Sequence, residues 1–571
     1  MNTPTSCAMR EKNDLVPFNL ADFYKTAHPS MYPAATTKLV ANFTPRSAKY
    51  APVLKELFDN KVVWFGLQGF IQAFLIDLFD KEFFRKPKEP AVRRYRRRMD
   101  TALGPGAVAT SRLEALHELG YLPLEIRSLP EGSRVDIKVP PVIFINTHAD
   151  FPWVSTYFET LFSCETWKPS TVATIAFEFR KLLEYFARLT GTAAEFVGWQ
   201  GHDFSMRGMS GVHDAMRCGA GHLLSFTGTD TIPALDYLED FYDADADKEL
   251  VGGSIPASEH SVMALRILLT LQHLRRAPAT RLDEPTLRRK AELMVIREFV
   301  TQDYPSGMVS IVSDTFDFWH VITVIAKELK ADILARKPDA LGNAKVVFRP
   351  DSGDPVKILT GYTDDELQCD AGQPVADNTG RYTVKATGAQ VTEAERKGAV
   401  ACLWEIYGGT TTDQGFKLLD SHVGLIYGDS ITLPRARDIL LRLAAKGFAS
   451  GNVVFGIGSF VYGMNSRDTF GYALKAIYAE VDGEAVEIYK DPATDDGTKK
   501  SAKGMVRVEQ EGDCFVLYEQ QTPEQAEGGA LVPVFRDGKL LVRQSLSEIR
   551  ARLQSSWQCP EPNSILWHKQ D

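Results

Sequence analysis

Residues 254–263 read SIPASEHSVM, after a pair of glycines. Pro256 suits the first turn of a helix, and SVMALRILLTLQHL then continues with helical spacing. His260 therefore falls near a helix N-terminus, where the positive end of the dipole favours the neutral imidazole and the adjacent Glu259 offsets it. A histidine so placed can exchange a proton or attack a phosphoryl group. A hydrogen-bonded histidine in a packed interface fits the same position.

Other short segments hold comparable sets. GHDFSMRGMSG at 201–211 puts Phe204 and Arg207 between flexible glycines, an aromatic face for a flat ring and a base for phosphate, or an ordinary loop with a cap at Asp203. SFTGTDTIPAL at 225–235 ends an apolar stretch at Asp230, which can accept hydrogen bonds from an amide or cap the following helix. FRPDSGDP puts Arg349 two residues before Asp351. In an extended segment such residues share a face, suiting a phosphorylated ribose or a mutual ion pair. FGIGSF offers backbone N–H groups free of side-chain bulk, as a phosphate turn needs. DFYKTAHPSMYP at 22–33 is an aromatic segment fit for an interface.

Several of these residues follow short β-branched runs: MVSIVSDTFD (308–317), KVVFRPDSGDP (345–355), HVGLIYGDSI (422–431) and NVVFGIGSF (452–460). Each run suits a strand buried on both faces, and helical patterns at 318–335 and 433–447 lie between some of them. Strand, polar tip and helix in repetition are the grammar of a parallel α/β barrel, whose tips converge at one end. Residues 62–84, 93–118 and 174–195 read as helices. After 476 the chain turns β-like, with hairpin signals at VDGE and RDGK. The expected organisation is a disordered tail at 1–14, a composite α+β domain from 15–198 and 468–571, and an α/β barrel at 199–467 interrupted by an insertion at about 360–412.

The 571 residues suffice for two or three domains. Lysine plus arginine total 65 against 74 acids, a net charge of −9 that argues against general nucleic-acid binding despite RRYRRRMD at 93–100. The apolar window 62–79 contains Gln68, Gln72 and Asp77, which favours a buried helix over a membrane span. Seven widely spaced cysteines form no C-x-x-C pair and suggest neither a disulfide framework nor a zinc site. That cysteine usage suits a reducing cytoplasm, the expected location, and the polar N-terminus shows no apolar signal-peptide stretch.

Taken in order, these segments, with GFKLLDSHVGLIYGDSI, SRD and IYKDP, resemble the nicotinamide phosphoribosyltransferases, type II phosphoribosyltransferases, across most of the chain. The resemblance implies an irregular parallel (β/α) barrel with a second, mainly antiparallel β-plus-helix domain, and a homodimer with shared active sites. It implies transfer of phosphoribosyl from phosphoribosyl pyrophosphate to nicotinamide, with Mg2+ assisting and ATP stimulating by phosphorylating His260. It puts Phe204 on one face of nicotinamide and the partner's Tyr24, with Asp22 nearby, on the other. By the same resemblance Asp230, supported by Ser313, is expected to read the carboxamide. Arg207, Arg349 and Asp351 match contacts to pyrophosphate, the ribosyl region and ribose hydroxyls, while Ser254, Ile255, Asp317, Gly428 and Asp429 match further pocket positions. Gly458, Ser459 and Arg467 match phosphate-binding positions, with Arg46, Lys475 and Lys490 expected around the nucleotide channel. Three departures stand out. Ser459, Phe460, Val461 and Tyr462 follow Gly458 where vertebrate members of the family carry a glycine run, Met206 replaces an aromatic, and the 360–412 stretch is longer than the family core.

A carboxylate at Asp230 accepts from an amide NH2 but repels the carboxylate of nicotinate, which favours nicotinamide. A nicotinate phosphoribosyltransferase on the same architecture is the alternative. A non-catalytic nucleotide-binding protein on this scaffold, or a nucleic-acid binder using Arg93–Arg98, are further alternatives.

Overall fold

The β-branched runs form strands because they can be buried on both faces: Val309–Val312, Val346–Arg349, Val423–Tyr427 and Val453–Ile457. With Gly201–Asp203 and Gly228–Thr229 they form a six-stranded, all-parallel sheet. The order across it is Gly228–Thr229, Gly201–Asp203, Val453–Ile457, Val423–Tyr427, Val346–Arg349, Val309–Val312. The computed structural model describes residues 15–276, 282–428, 430–490 and 501–562, so the expected tail at 1–14 lies outside the described residues.

The two edges of this sheet are joined by an irregular segment. Thr229 N–H donates to Gly253 O (2.9 Å) and Gly253 N–H to Thr227 O (2.8 Å). On the other side Ser310 N–H donates to Pro256 O (2.9 Å) and Ser258 N–H to Ser310 O (3.0 Å). Residues 253–258 are thus the stave that closes the barrel. Pro256 lies in that stave and not in a helical turn: its carbonyl is used in the ladder, and its missing N–H is not needed there. The helix begins later, as His260–Arg276.

A second body is built from both ends of the chain. Its seven-stranded antiparallel sheet runs Glu484–Glu487, Ala473–Val481, Thr36–Thr44, Val142–Asn146, Leu124–Ser128, Val532–Arg536, Lys539–Leu540. Both Asp-Gly signals are hairpin turns with positive φ at each central residue, Asp482 (54°) and Gly483 (78°), then Asp537 (51°) and Gly538 (78°).

The helix expected at 174–195 is the second half of Glu159–Thr190 and is buried on nearly every face. It packs against the antiparallel body through Leu161 and Phe162, and against the barrel through Val172, Phe179, Leu182 and Phe186. Two other expected helices begin or break differently. Lys61–Val63 is a strand paired with Arg134–Asp136, and helix starts only at Leu67, after Gly66 at φ 105°. The stretch 93–118 is divided into Lys88–Leu103 and Ser111–Leu119, because Gly104 and Gly106 take positive φ around Pro105. Arg96 ties the two to each other through Glu114 (2.7 Å).

Within 360–412 only part stands apart. The strand pair Tyr382–Thr383 with Gln390–Val391 covers a small core of Leu367, Val384 and Val391. Helix Ala399–Tyr407 returns to the barrel core. Among the described residues no helix is long and apolar enough to cross a membrane, and the six described cysteines are free thiols.

Closure generates a prediction. Ser258 Oγ accepts the N–H of Val312 at 3.0 Å, in a buried position. Ser258→Ala leaves that donor unpaired and is expected to cost ~1–3 kcal/mol, read as a lower urea midpoint at unchanged slope.

Candidate active site

All six strands and the closing stave run in parallel, so their carboxyl ends form one rim. Around it stand Phe204, then Asp230 with Ser254, then His260 with Asp314, then Arg349 with Asp351, then Gly428 and the Gly458–Ser459 turn.

Phe204 follows strand Gly201–Asp203 and donates its N–H to Ile457 O (3.0 Å). Its ring can lie against the neighbouring strand only because residue 456 is glycine. A Cβ there would meet Phe204 Cδ2 at 2.7 Å and Tyr427 O at 2.8 Å. Behind Phe204, Asp203 is fully buried; it accepts from Ser205 N–H (2.9 Å), Thr231 Oγ1 (2.7 Å) and Thr229 Oγ1 (3.3 Å).

Asp230 does not cap the next helix; Thr231 holds that position. Its Oδ1 accepts from His202 Nε2 (2.8 Å) and Ser254 Oγ (2.6 Å). Burial pushes the Asp230 carboxyl up, but those two hydrogen bonds and the nearby Arg349 charge outweigh it and hold it below the ordinary range. Ser313, expected behind Asp230, instead donates to Ile311 O (2.8 Å) and accepts from Arg349 N–H (3.3 Å).

His260 is the first residue of its helix and its side chain is 50% exposed. Nε2 donates to Asp314 Oδ1 (3.0 Å). Asp314 also accepts from Ser352 Oγ (2.6 Å) and from Asp351 N–H (3.0 Å). Burial raises its carboxyl, and these donors together bring it below the ordinary range. His222 is a contrast. It is fully buried, accepts from Tyr462 OH (2.7 Å) and donates to Gly228 O (3.0 Å), and burial pushes it down to about 4. That one is a neutral core histidine.

Arg349 donates to Ser258 O (2.7 Å), while its buried Nε has no hydrogen-bond partner and faces Asp351 Oδ2 at 3.8 Å. An unpaired guanidinium N–H beside a carboxylate suits an oxygen-rich, phosphorylated ligand. Gly428 completes this corner, because a Cβ there would overlap Asp351 Oδ1. On the facing side, Gly208 packs directly on Ser459, so the Met206–Gly208 turn carrying Arg207 is seated on the Gly458–Ser459 turn.

The remaining expected residues divide. Asp22, Tyr24 and Lys475 gather around Glu159: Thr160 Oγ1 donates to Asp22 Oδ2 (2.8 Å), Lys475 pairs with Glu159 (3.2 Å), and Lys25 pairs with the same carboxylate. Burial, with the charges of Glu159 and Asp22, raises the Tyr24 hydroxyl, while Arg467 opposes them from nearby. Arg46 donates to Gly471 O (2.8 Å) in this neighbourhood. Tyr24 is 60% exposed, with its ring against His28 (5.5 Å) and not against Phe204. Ile255 is half-buried in the closing stave. Asp317 is drawn away from the rim cluster: it caps Phe318–His320 and faces Arg289 at 3.8 Å. Lys490 is exposed, its N–H donating to Ser501 Oγ (2.9 Å). Asp429 lies outside the described residues.

Sequence reasoning missed His202 and Asp314. His202 lies two residues before Phe204, so strand parity alone would have put both on one face. Asp314 follows Ser313 in a tip already singled out, but no local pattern pairs it with His260.

A parallel barrel joined to an antiparallel body built from both chain ends is the architecture of the type II phosphoribosyltransferases. The chain belongs to the nicotinate phosphoribosyltransferase (NAPRTase) family, whose model matches residues 199–526. It is 51% identical over 537 residues to a nicotinamide phosphoribosyltransferase of Acinetobacter baylyi, covering 94% of this chain and 97% of that one. It is 29% identical over 544 residues to a nicotinamide phosphoribosyltransferase of Xanthomonas campestris, with 94% and 97% covered. Among solved structures, a nicotinate-nucleotide pyrophosphorylase from Pyrococcus furiosus shares the fold at a TM-score of 0.51 and 12% identity, over 96% of this chain and 97% of that one.

Gly428→Ala should displace the Asp351 carboxylate and lower kcat/KM in the family reaction by ~10-fold or more. A thermal melt should show stability changed by less than about 1 kcal/mol.

Proposed function

We propose that this protein transfers the 5-phosphoribosyl group of phosphoribosyl pyrophosphate to nicotinamide, giving nicotinamide mononucleotide and pyrophosphate in NAD salvage. The observation that carries this reading is the Asp230 carboxylate held beside the Phe204 ring on the same rim as the Arg349–Asp351 corner. The 51% identical relative from Acinetobacter baylyi, a nicotinamide phosphoribosyltransferase, supports it.

In this reading the pyridine lies on Phe204 and its amide NH2 donates to Asp230. The ring nitrogen attacks C1 of the ribose as the bond from C1 to the pyrophosphate oxygen breaks, through a state with cationic character at C1. Asp351 accepts from the ribose hydroxyls. Arg349, Arg207 and the N–H groups of the Gly458–Ser459 turn take up the charge leaving with pyrophosphate, positioned beforehand by the contacts above. Arg467, Arg46 and Lys475, grouped with Tyr24 around Glu159, extend the positive lining toward the 5-phosphate from the same subunit that supplies Tyr24.

Mg2+ belongs to this proposal as a companion of the pyrophosphate. Among the described residues no three metal-ligating side chains converge. Asp351, beside the Arg349 guanidinium, would hold such an ion, and magnesium bound there would supply further charge neutralisation. ATP is proposed as a stimulating co-substrate. With Nε2–H of His260 committed to Asp314, Nδ1 keeps the lone pair that can take the γ-phosphoryl group, releasing ADP.

A homodimer supplies Tyr24 from the second subunit as the other face of the pyridine sandwich. Exposure of Tyr24 supports this, as does the apolar row Val262, Leu265, Leu268 and Leu269 on the outer face of the His260 helix.

The test is turnover with phosphoribosyl pyrophosphate, Mg2+ and either nicotinamide or nicotinate, with and without ATP. Nicotinamide mononucleotide is the expected product, and a chain that accepts only nicotinate overturns the reading. Asp230→Ser should reduce the preference for nicotinamide by ~10-fold or more; unchanged selectivity removes Asp230 from that role. His260→Ala should lower turnover and abolish the ratio of ATP-stimulated to unstimulated rate, measured as pyrophosphate released.

A further inference from the structure

The base end of the cleft contains a group that the proposed mechanism does not use. The His202 side chain is 10% exposed, and its ring does two things at once. Nε2 donates to Asp230 Oδ1 at 2.8 Å, and one edge backs the Phe204 ring at a centroid distance of 4.5 Å and an interplanar angle of 42°. The ring is also held from behind. A Cβ at Gly228 would meet His202 Nδ1 at 2.7 Å, so the adjacent strand fits against the imidazole. Asp230 receives its second bond from Ser254 Oγ, at 2.6 Å, on the same oxygen.

We infer that His202 is a positioning residue that sets the choice of base. Two donors on Oδ1 fix the carboxylate's rotation, and Oδ2 becomes the oxygen presented to the ligand. Because the imidazole touches Phe204 as well, the plane on which the pyridine stacks and the acceptor that reads its 3-substituent are held by one rigid ring. The spacing between stacking face and acceptor is therefore built in before the base arrives. An amide meets a single oriented lone pair, whereas a carboxylate meets a charge that cannot swing away from it. Without His202 the Asp230 side chain turns on its own axis, and the discrimination relaxes although Asp230 is still present. Ser254 alone does not prevent this. Its hydroxyl is carried on an exposed residue of the closing stave, whereas the imidazole is packed between the Phe204 ring and the Gly228 strand.

This inference rests on the nicotinamide reading, and its test separates the two. Initial rates are measured for the full chain with phosphoribosyl pyrophosphate and Mg2+, using nicotinamide and nicotinate in parallel. The proteins are wild type, His202→Leu, His202→Gln, and each of these in an Asp230→Asn background. In His202→Leu the KM for nicotinamide should rise ~10-fold while kcat falls less than ~3-fold, and the nicotinamide-to-nicotinate ratio of kcat/KM should fall ~10-fold. In His202→Gln the side-chain amide replaces the Nε2–H donor and should recover most of the ratio. With Asp230→Asn already present, His202→Leu should change the ratio less than ~2-fold, since the two act as one unit. Should His202→Leu not fold, His202→Asn, whose amide is too short to reach Oδ1, takes its place. An unchanged ratio in the variant lacking the donor overturns the inference. So does an equal effect with and without Asp230, which would mean that His202 acts through Phe204 packing alone. A wild type that makes no mononucleotide from nicotinamide overturns the proposed function, and this inference with it; a wild type that does so, with variants that match it, overturns the inference only.

Discussion

The closure of the barrel is the constraint on which the site depends. A parallel barrel has no spare edge: each stave must find backbone partners on both sides, or its N–H and C=O groups are stranded in the interior. Here the last stave is residues 253–258, too irregular to form a regular strand, and it makes its ladder bonds through Gly253, Pro256 and Ser258. Side chains complete what the backbone lacks. Ser258 Oγ takes the Val312 N–H, and Arg349 reaches across to Ser258 O. The same few residues present Ser254 to Asp230 and lead directly into His260. The carbonyl of Pro256 serves where its nitrogen cannot.

Three carboxylates on this rim show how environment assigns work to chemically identical groups. Asp203 is wholly enclosed by two threonine hydroxyls and a backbone N–H, and holds the turn that carries Phe204. Asp230 and Asp314 are partly enclosed, and each is kept ionised by donors that outweigh the cost of burial. Each of these two also touches one histidine, so each histidine has a defined tautomer with Nε2 protonated. Around them, glycine is required where a neighbour comes too close for any side chain: Gly456 against Phe204 and Gly428 against Asp351.

How much of this was legible in the sequence follows from the range of the forces involved. Strands buried on both faces announce themselves as β-branched runs, and Asp-Gly between alternating segments announces a hairpin, because both signals are local. Arg349 and Asp351 share a face by strand parity, and the structure has them 3.8 Å apart. Pro256 misled because proline suits a first helical turn as well as it suits a stave that needs no N–H at that point. The break at Gly104–Gly106 and the strand Lys61–Val63 were missed because a helical reading was carried across glycines that take positive φ. The partnership of His260 with Asp314 bridges 54 positions, and that of Asp230 with His202 bridges 28. Nothing in either neighbourhood encodes it; only the strand order does.

The helix Glu159–Thr190 has a geometric consequence for the chain's tolerance of length change. At its start Glu159 clasps Lys25 and Lys475; at its end Thr190 Oγ1 accepts the N–H of Ser450, just ahead of the barrel strand Val453–Ile457. A single residue added or removed between these two anchorages would turn one end against the other by about 100° and slide it about 1.5 Å. Either the acidic clasp or the hydroxyl latch would then point into the wrong wall. The rod is thus a fixed gauge between two bodies whose loops are free to vary.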